Sequence, residues 1–461
     1  MNGGSAAAGK CSDVLILGGG SGGYACALRA AQLGLSVTLV EADKLGGTCL
    51  HRGCIPTKAL LRAAEVADTT RNARSFGVSA TYDGIDLAAV YAYRETVVKR
   101  LYQGLRGLLT RDSITVVTGT GQLTNELTVT VDGLRYAGNS VVLATGSRPR
   151  VPAGIALGSR IVTSDQALDL DAVPQSAIVL GGGVIGIEFA SLWASFGADV
   201  TIVEALPRIL AAEDPWSSKQ VTKALRARGI TVRTDARVAA ATEDGEGVRV
   251  TFADGEIRTA DVLLVAVGRA PRIDGLSEVG IGIENGCVAT DERLRTTTAG
   301  VYAVGDLVAG PQLAHRGFQH GMFVADEIAG NAPVPIPDDL IPRVVYSHPE
   351  VASVGLTENA ARDRYSNATV LVYDLAGNGK SQILRTGGGV KVVRAGDSGP
   401  VVGVHLVGDR VGESIGEAQL SVAWEALPEE IAAFVHAHPS QNEALGEAML
   451  ALAGRPLHTH R

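Results

Sequence analysis

The sequence predicts an α/β fold in which one strand–turn–helix–strand unit occurs twice and is followed by a C-terminal α+β domain. Each unit contains glycines in a G-x-G-x-x-G pattern between a short apolar strand and a helix, beginning at residues 18 and 181. Two cysteines, separated by four residues, follow the first unit. Because 461 residues exceed what one hydrophobic core normally holds, we expect several domains.

The first unit has the features of a dinucleotide-binding turn. A strand over Asp13–Leu17 leads into Gly18, Gly20 and Gly23, and the second strand of the unit is followed by Glu41. In such a turn the first glycine allows the bend, the second lets the backbone approach a pyrophosphate, and the third lets helix and strand pack closely. An acid about twenty residues further on binds ribose hydroxyls. The unit is therefore predicted to be a Rossmann-like nucleotide-binding domain.

The second unit repeats the pattern. Gly181, Gly183 and Gly186 form the turn, and an acid, Glu204, again follows the second strand. A carboxylate at this position repels the 2′-phosphate of NADP, so Glu204 favours NAD. Arg208 lies four residues later and leaves NADP as the alternative. The chain is therefore predicted to hold two dinucleotides.

The remaining elements follow in order, with the Pro-rich segment 331–337 interpreted as a linker. The predicted strands cover residues 13–17, 36–40, 114–117, 127–131, 176–180, 200–203, 301–306, 368–373, 390–393 and 401–407, together with the apolar runs 141–149 and 262–271, which end in turns. The predicted helices cover residues 24–34, 69–111, 187–196, 412–425, 428–435 and 442–452.

The stretch Gly46–Lys58 contains the two cysteines, Cys49 and Cys54, just before a run rich in Ala and Leu. Proline is tolerated in the first turn of a helix, so Pro56 predicts that a helix begins beside Cys54. A helix N-terminus stabilises a thiolate, which favours a redox pair. The alternatives are half of a zinc site or two unrelated buried thiols. Zinc needs about four ligands, usually in pairs, whereas the other three cysteines are scattered singly.

Two nucleotide sites and a redox cysteine pair imply a path for two electrons. A nicotinamide passes hydride and normally departs, whereas a flavin stays bound and can exchange electrons with a disulfide. Because the cysteines follow the first unit directly, we expect FAD in the first unit and NAD in the second.

The chain resembles the pyridine nucleotide–disulfide oxidoreductase family along its whole length, and several stretches carry the resemblance. Gly46–Lys58 is very specific for the family, and Ala144–Gly146 and Val301–Asp306 are similar to its flavin-domain motifs. Tyr346–Gly355 and His436–Glu443 are similar to segments of its interface domain. The resemblance implies an FAD-binding domain over residues 1–150, an NAD-binding domain over 151–273, a central domain over 274–342 that completes the FAD site, and a dimerisation domain over 343–461.

The resemblance also assigns roles to the reactive residues. Cys54 would face the flavin, and Cys49 would exchange with the substrate. Lys58 and Glu188 would pair near the reactive nitrogen of the flavin. The further positions assigned to cofactor binding are Gly121, Thr145, Gly146, Asp306, Leu313, Ala314, His315 and Gly268.

His438 and Glu443 are the second reactive pair. An imidazole, with an unperturbed pKa of about 6.5, can take a proton from a thiol, and a carboxylate five residues later can fix its tautomer. The resemblance implies that this pair reaches the cysteines of the other subunit, so a homodimer is expected. His436 is expected to be a structural neighbour. The histidines expected to be solvated are His315, His348, His458 and His460.

Within the family the chain is most similar to members that oxidise protein-bound dihydrolipoamide with NAD. The expected partners are the lipoyl domains of a 2-oxo acid dehydrogenase complex or of the glycine cleavage system. One alternative is a reductase of glutathione, mycothiol or a similar small disulfide that uses NADPH. Another is a flavoprotein scaffold without turnover, although the reactive cysteines and histidine are intact. Mercury-reducing relatives would carry extra cysteines near the C-terminus, and this chain has none there.

The sequence departs from the family pattern in three places. His51 and Arg52 fill the loop between the cysteines, Ser440 stands where threonine is usual, and the segment Arg316–His320 lacks an acid before Gly321. These departures leave the proposed catalytic atoms unchanged.

Charge and composition argue against other classes of function. The net charge of −8 argues against nucleic acid as a partner, and no apolar stretch has the length of a membrane span. Met1–Lys10 has no basic region followed by a long apolar segment, so we do not expect a secretory signal. We expect a cytoplasmic enzyme with no metal site.

Overall fold

The structure is a computed structural model that describes residues 11–124, 127–245 and 247–458. The segment Met1–Lys10 and His460, for which the sequence raised expectations, lie outside the described residues. The chain forms two compact units. The first comprises the residues up to Leu60, Ala88–Arg150 and Arg269–Pro335, and the second comprises Leu61–Leu87, Val151–Gly268 and the residues from Ile336 onward.

The described residues form thirteen α-helices and twenty-four strands. The α-helices are α1 Ser21–Gln32, α2 Gly47–Arg52, α3 Cys54–Arg71, α4 Leu87–Arg111, α5 Ser164–Ala167, α6 Val184–Phe196, α7 Pro215–Ala227, α8 Ala314–Ile328, α9 Glu358–Arg364, α10 Gly379–Leu384, α11 Ile415–Ala423, α12 Pro428–Ile431 and α13 Glu443–Leu452. The strands are β1 Ser12–Leu17, β2 Val37–Glu41, β3 Thr115–Thr118, β4 Gln122–Leu123, β5 Thr128–Val131, β6 Leu134–Leu143, β7 Ser147–Pro149, β8 Ile161–Thr163, β9 Ser176–Leu180, β10 Asp199–Val203, β11 Thr231–Arg233, β12 Val238–Glu243, β13 Val248–Phe252, β14 Ile257–Ala260, β15 Val262–Val265, β16 Arg269–Pro271, β17 Ile283–Glu284, β18 Cys287–Val288, β19 Val301–Ala303, β20 Arg343–Val345, β21 Glu350–Gly355, β22 Thr369–Asp374, β23 Gly389–Arg394 and β24 Val401–Gly408.

A largely parallel sheet is the centre of the first unit. Its order is β3-β2-β1-β6-β5-β4, with β19 also paired to β6. Successive side chains of a strand point to opposite faces. Val14 and Ile16 of β1 accordingly pack in the same core as Ala27 of α1, whereas Leu15 and Leu17 pack with a second core that includes β5. Strand β1 is therefore buried on both faces, and its carboxyl end leads into the first glycine turn.

Helix α8 packs closely on α1 because both helices carry glycine at their contact. A Cβ atom added to Gly321 would lie 2.2 Å from the carbonyl oxygen of Gly22, and one added to Gly317 would lie 2.7 Å from Oγ of Ser21. Both distances are shorter than van der Waals contact. The helix that begins after Leu313 is thereby held against the helix that follows the first glycine turn.

The second unit contains two large sheets. A parallel sheet of order β11-β10-β9-β15-β8 repeats the arrangement around the first glycine turn, and β12, β13 and β14 form a separate antiparallel sheet. The C-terminal part forms an antiparallel sheet of order β20-β21-β24-β23-β22. Helices α11 and α13 share a hydrophobic core with this sheet. The α+β domain predicted at the C-terminus is thus observed.

A buried ion pair connects helix α7 to the C-terminal sheet within the second unit. Asp214 precedes α7, is fully buried, and accepts hydrogen bonds from Nζ of Lys391 at 2.7 Å and from the backbone N–H of Trp216 at 2.8 Å. The same Nζ atom lies 2.7 Å from a carboxylate oxygen of Glu358. Burial opposes ionisation of Asp214, but these hydrogen bonds lower its pKa overall. Breaking one partner would leave a buried charge uncompensated.

The prediction of one helix over residues 69–111 was wrong, because this segment does not form a continuous helix. Helix α3 ends at Arg71, a 3-10 turn covers Ala73–Phe76, and residues 77–86 contain no helix or strand. Gly77 and Gly84 adopt left-handed backbone conformations, with φ of +77° and +116°. Two left-handed residues stop a helix, and α4 begins only after them. Helix α12 is likewise shorter than predicted.

We expect Gly321→Ala to destabilise the protein, because the new methyl group would overlap the carbonyl group of Gly22. Overpacking of this kind costs about 1–3 kcal/mol. Gly104→Ala is the matched control: it lies inside α4 with no atom within 4 Å of its added Cβ, where alanine favours a helix by about 1 kcal/mol. Thermal unfolding should show a lower Tm for the first variant and an equal or higher Tm for the second. A Gly321→Ala variant as stable as the wild type would contradict the close packing.

Glu350, at the start of β21, is a partly buried carboxyl with a raised pKa. Burial and the neighbouring charges of Asp409, Glu413 and Glu65 raise its pKa to about 7, although the N–H of Gly412 donates a hydrogen bond of 2.9 Å to it. An unfolded glutamate has a pKa of 4.5. The folded protein therefore binds this proton more tightly. The resulting stabilisation is complete below the unfolded pKa and is lost as the pH rises through 7.

We therefore expect Glu350→Gln to raise the stability above pH 7 and to leave it unchanged at about pH 4. The gain should be about 3 kcal/mol, because the pKa rises from 4.5 to about 7 and each pKa unit corresponds to about 1.4 kcal/mol. Thermal unfolding across this pH range measures it, with the exposed Glu425→Gln as the control that should show no pH-dependent difference. A gain of the same size at both ends of the range would exclude titration of Glu350 as the cause.

Candidate functional site

The cysteine pair joins two helices. Cys49 lies in the short helix α2, and Cys54 is the first residue of α3, with Gly53 between the helices. The predicted position of Cys54 at a helix N-terminus is confirmed. Helix α2 was not predicted from the sequence, because Gly46 and Gly47 precede and open it in left-handed conformations, with φ of +99° and +58°.

The surroundings of Cys49 raise its affinity for a proton. A hydrogen bond with Cys54 raises the pKa of Cys49, and burial raises it further, while the charge of Lys58 opposes both. Lys58 lies one turn after Cys54 on α3. The surroundings of Cys49 therefore favour its protonated form, whereas the helix N-terminus at which Cys54 lies favours a thiolate.

Tyr24 is a neighbour of the cysteines that was not predicted from the sequence. Burial and the charges of Cys49 and Cys54 raise the pKa of Tyr24 to about 12. Its ring lies 5.5 Å from that of Phe318. Its place directly after Gly23, at the start of α1, is the sequence signal that could have found it.

The cysteine segment rests directly on the first glycine turn. The N–H of Gly46 donates a 2.8 Å hydrogen bond to the carbonyl of Gly19. A Cβ atom added to Gly47 would lie 2.7 Å from Cα of Gly20. The two sequence motifs that were predicted separately are thus packed against each other by their glycines.

The first turn has the shape that a dinucleotide requires. Gly18 has a φ of +108°, and an added Cβ would lie 2.3 Å from the carbonyl oxygen of Ala144. A Cβ on Gly23 would lie 1.8 Å from the carbonyl oxygen of Gly18. No side chain caps the N-terminus of α1 behind Gly20. Exposed N–H groups at a helix N-terminus bind phosphate, so these residues fit the pyrophosphate of FAD.

The second turn repeats these dimensions. Gly181 has a φ of +112°, and an added Cβ would lie 2.4 Å from the carbonyl oxygen of Ala266. A Cβ on Gly186 would lie 2.0 Å from the carbonyl oxygen of Gly181. No side chain caps α6, and an added Cβ on Gly183 would meet no atom within 4 Å. The second turn therefore fits a second pyrophosphate.

The two acids after these turns are held in the same way. Glu41 accepts a 2.6 Å hydrogen bond from the N–H of Gly19, and Glu204 accepts one of 2.7 Å from the N–H of Gly182. Each carboxylate also accepts a 2.8 Å bond from a backbone N–H two residues later. Both carboxylates are thereby oriented beside their turn, where ribose hydroxyls of a dinucleotide bind.

Arg208, which left NADP open as an alternative, has its guanidinium bound to the backbone. Its nitrogens donate hydrogen bonds to the carbonyls of Leu210, Ala211 and Glu213, at 3.1, 2.7 and 2.9 Å. A guanidinium engaged in this way is not directed at a 2′-phosphate. The arrangement favours NAD in the second unit.

The other predicted flavin residues lie around the carboxyl ends of the first sheet. Asp306 accepts a hydrogen bond from the hydroxyl of Ser147, whereas the hydroxyl of Thr145 donates to the carbonyl of Arg272 at 2.8 Å. Gly146 has a φ of +69°, and Gly268, the corresponding residue of the second unit, has a φ of +99°.

Two further groups of predicted residues lie at helix α8 and in the sheet. Leu313 precedes α8, Ala314 begins it, and His315 is exposed. Gly121 lies just before β4, and an added Cβ would overlap Leu17, which gives this glycine a packing role.

His438 and Glu443 are brought together in the second unit. Nδ1 of His438 lies 2.9 Å from a carboxylate oxygen of Glu443, and the other oxygen accepts a 2.8 Å hydrogen bond from the N–H of Ser440. Burial opposes ionisation of Glu443, but these bonds lower its pKa overall. A carboxylate can only accept, so Nδ1 carries the hydrogen and Nε2 of the neutral ring is the basic atom. The side chain of His438 is 73% exposed.

Glu188 is buried, whereas His348 and His458 lie at the surface. Glu188 is buried in α6 and accepts a 3.0 Å hydrogen bond from the N–H of Tyr346. His348 and His458 are exposed as expected, although His458 also pairs with Glu447 at 2.8 Å.

The residues His51, Arg52 and His320, which depart from the family pattern, interact with neighbouring residues. Nε2 of His51 lies 2.9 Å from the carbonyl of Leu45, and its ring lies 5.2 Å from that of Tyr102, edge to face. Arg52 forms an ion pair with Asp43. His320 accepts a 3.3 Å hydrogen bond from the N–H of Gly305.

Two dinucleotide turns, a cysteine pair seated on the first turn and a histidine–carboxylate pair define a disulfide oxidoreductase that works with a pyridine nucleotide. The chain belongs to the pyridine nucleotide-disulphide oxidoreductase family, whose model matches residues 12–321 and whose dimerisation-domain model matches residues 341–449. The expected fold class and the expected cofactors, FAD and NAD, are confirmed by this membership.

Similar proteins cover nearly the whole chain. A dihydrolipoyl dehydrogenase of Bacillus subtilis is 40% identical over 97% of this chain and 99% of its own length, and a mitochondrial one of Pisum sativum is 35% identical over 97% and 92%. Among solved structures, LpdA of Mycobacterium tuberculosis has a TM-score of 0.88 at 28% identity, over 95% of this chain and 99% of its own. The HOCl-induced flavoprotein disulfide reductase RclA of Escherichia coli has a TM-score of 0.85 at 27% identity, over 95% and 99%. None of the helices in the described part of this chain is long and apolar enough to cross a membrane.

We expect Glu204→Ala to weaken use of NAD without creating use of NADP. Loss of the carboxylate should raise the KM for NAD about tenfold, the scale of one charge-assisted hydrogen bond. NADP should stay a poor substrate, because Arg208 is bound to backbone carbonyls. Steady-state kinetics with both nucleotides measures this, with Asp199→Asn, exposed at the other end of β10, as the control. Efficient turnover of NADP by Glu204→Ala would show that Arg208 is available after all.

Proposed function

We propose that this protein oxidises protein-bound dihydrolipoamide to lipoamide and reduces NAD to NADH, with FAD and the Cys49–Cys54 disulfide as carriers. The observation that carries the proposal is the seating of the cysteine pair on the first glycine turn, through the hydrogen bond from Gly46 to Gly19. The substrate is supported by the relatives named dihydrolipoyl dehydrogenase, at 35–40% identity along 97% of the chain.

The chain's own residues carry the exchange of thiols. One thiol of dihydrolipoamide loses its proton to Nε2 of His438 and attacks Sγ of Cys49, which breaks the disulfide and releases Cys54 as a thiolate at the start of α3. The second thiol then attacks the mixed disulfide at the substrate sulfur and releases Cys49, which takes up the proton of that second thiol, while the first proton stays on His438. Lipoamide leaves with two electrons and two protons fewer, and the enzyme holds a reduced pair. FAD, when bound, supplies the route by which these two electrons reach NAD.

Glu443 supports this exchange by holding His438. It fixes the hydrogen on Nδ1 and stabilises the imidazolium that forms when Nε2 takes the thiol proton. In the same proposal Lys58 and Glu188 pair near the flavin.

The proposed assembly follows the domain order. Residues 1–150 and 274–342 bind FAD, residues 151–273 bind NAD, and residues 343–461 form the dimer. The match of residues 341–449 to a dimerisation domain supports a homodimer. The exposure of His438 suits a ring that serves the cysteines of the second chain. The proposed partners are lipoyl domains of a 2-oxo acid dehydrogenase complex or of the glycine cleavage system, in the cytoplasm.

The test is anaerobic mixing of the FAD-loaded protein with dihydrolipoamide and NAD, followed by the absorbance of NADH. We expect rapid NADH formation by the wild type. Cys49→Ser should lower it by about a thousandfold or more, because a reacting sulfur is lost. His438→Ala should lower it about a hundredfold or more, because a general base is lost.

Cys11→Ser is the matched control, since Cys11 is an exposed cysteine outside the proposed site, and it should react like the wild type. Absence of NADH formation by the wild type, together with reduction of oxidised glutathione or mycothiol disulfide by NADPH, would overturn the proposal in favour of a small-disulfide reductase. A purified protein that binds no flavin would favour a scaffold instead.

A further inference from the structure

A carboxylate outside the reactive pair holds both ends of the segment that carries His438. One oxygen of Glu417, in α11, lies 2.8 Å from Nε2 of His436, and the other accepts a hydrogen bond from the side-chain amide of Asn442. His438 lies between these two attachment points. The side chain of Glu417 thus connects the two ends of the segment from residue 436 to residue 442.

The ring of His436 is fixed from a second side. A Cβ atom added to Gly446 would lie 2.5 Å from Nδ1 of His436, so the ring rests on the backbone of α13. Gly446 follows Glu443 by about one helical turn. The hydrogen bond with Glu417 raises the pKa of His436, despite burial. The positive charge of His436 in turn helps to lower the pKa of Glu443.

Asn442 shows that this arrangement serves the segment rather than the helix. It is the residue before α13, a position where an asparagine side chain usually caps the helix. Here its side chain makes no cap and binds Glu417 instead. The start of the helix is capped by Ser440, whose hydroxyl accepts a 3.3 Å hydrogen bond from the N–H of Glu443, so the amide of Asn442 is available to hold the segment.

We propose that Glu417 is a positioning residue for the His438–Glu443 pair. It holds His436 and Asn442 so that Nε2 of His438 is presented at a fixed position and Glu443 stays ionised. This inference rests on the proposed function, because it concerns the base of that reaction. The segment has further support: Asn378 donates to the carbonyl of Ser440 at 3.0 Å, and Gln441 donates to that of Asp409 at 2.7 Å. Removing Glu417 should therefore loosen the segment without releasing it.

The test compares two activities of the FAD-loaded enzyme. Oxidation of dihydrolipoamide by NAD needs the base, whereas reduction of ferricyanide by NADH needs only the bound flavin. We expect Glu417→Ala to lower kcat/KM for dihydrolipoamide about ten- to hundredfold, the scale of a misplaced reacting group. The ferricyanide activity should be unchanged. Glu417→Gln should recover part of the loss, because its amide can bind both partners if the amide of Asn442 turns over.

Asn442→Asp separates positioning from helix stability. The side chain of Asn442 makes no helix cap, and an acid near a helix N-terminus is favourable, so the helix alone predicts no loss. Opposite Glu417, however, it places two carboxylates together, and we expect a loss of kcat/KM similar to that of Glu417→Ala. The control is Glu425→Gln, the same loss of charge at an exposed position two residues after α11, which should behave as the wild type.

The outcomes separate the two proposals. Wild-type kcat/KM in both Glu417→Ala and Asn442→Asp would overturn the positioning role, as would an equal loss of both activities, which indicates a general structural defect. A wild type that does not oxidise dihydrolipoamide but reduces ferricyanide would instead overturn the proposed function.

Discussion

The hydrogen bond from the N–H of Gly46 to the carbonyl of Gly19 is the interaction on which the rest of the first unit depends. It joins the cysteine segment to the nucleotide turn, and the approach requires that Gly47 lack a Cβ atom, which would lie 2.7 Å from Cα of Gly20. The turn itself requires Gly18 and Gly23 for contact with backbone carbonyls. The chemistry of Cys49 and the place of a flavin are therefore set by backbone geometry, with side chains adjusting only the proton affinity.

The reactive pair of the second unit is built on a different principle. His438 is exposed and is held by Glu443, whereas the C-terminal sheet makes buried contacts such as that between Asp214 and Lys391. In the proposed reaction the exposed ring of His438 acts on the cysteines of a second chain. This agrees with the presence of the family's dimerisation domain in this part of the chain.

Local patterns were predictable from the sequence, and contacts between distant residues were not. The glycine turns, the start of α3 at Cys54 and the closeness of His438 to Glu443 follow from spacing along a few residues. Tyr24 and Glu417 were missed, because their importance comes from Cys49 and His436, which lie far away in the chain. The prediction of one helix over residues 69–111 was wrong, because it rested on the composition of the segment. Gly77 and Gly84 interrupt the helix. Family resemblance supplied the roles that spacing alone left open.

The near identity of the two glycine turns has a consequence for inhibitors. The added-Cβ distances agree within 0.1 to 0.2 Å between Gly18 and Gly181 and between Gly23 and Gly186, and Glu41 and Glu204 accept the same pair of backbone hydrogen bonds. FAD and NAD share an adenosine diphosphate moiety. A drug-like compound that imitates only this moiety therefore meets two sites of almost equal shape on every chain. Selectivity for one of them has to come from the portion of the molecule that reaches the flavin or the nicotinamide position.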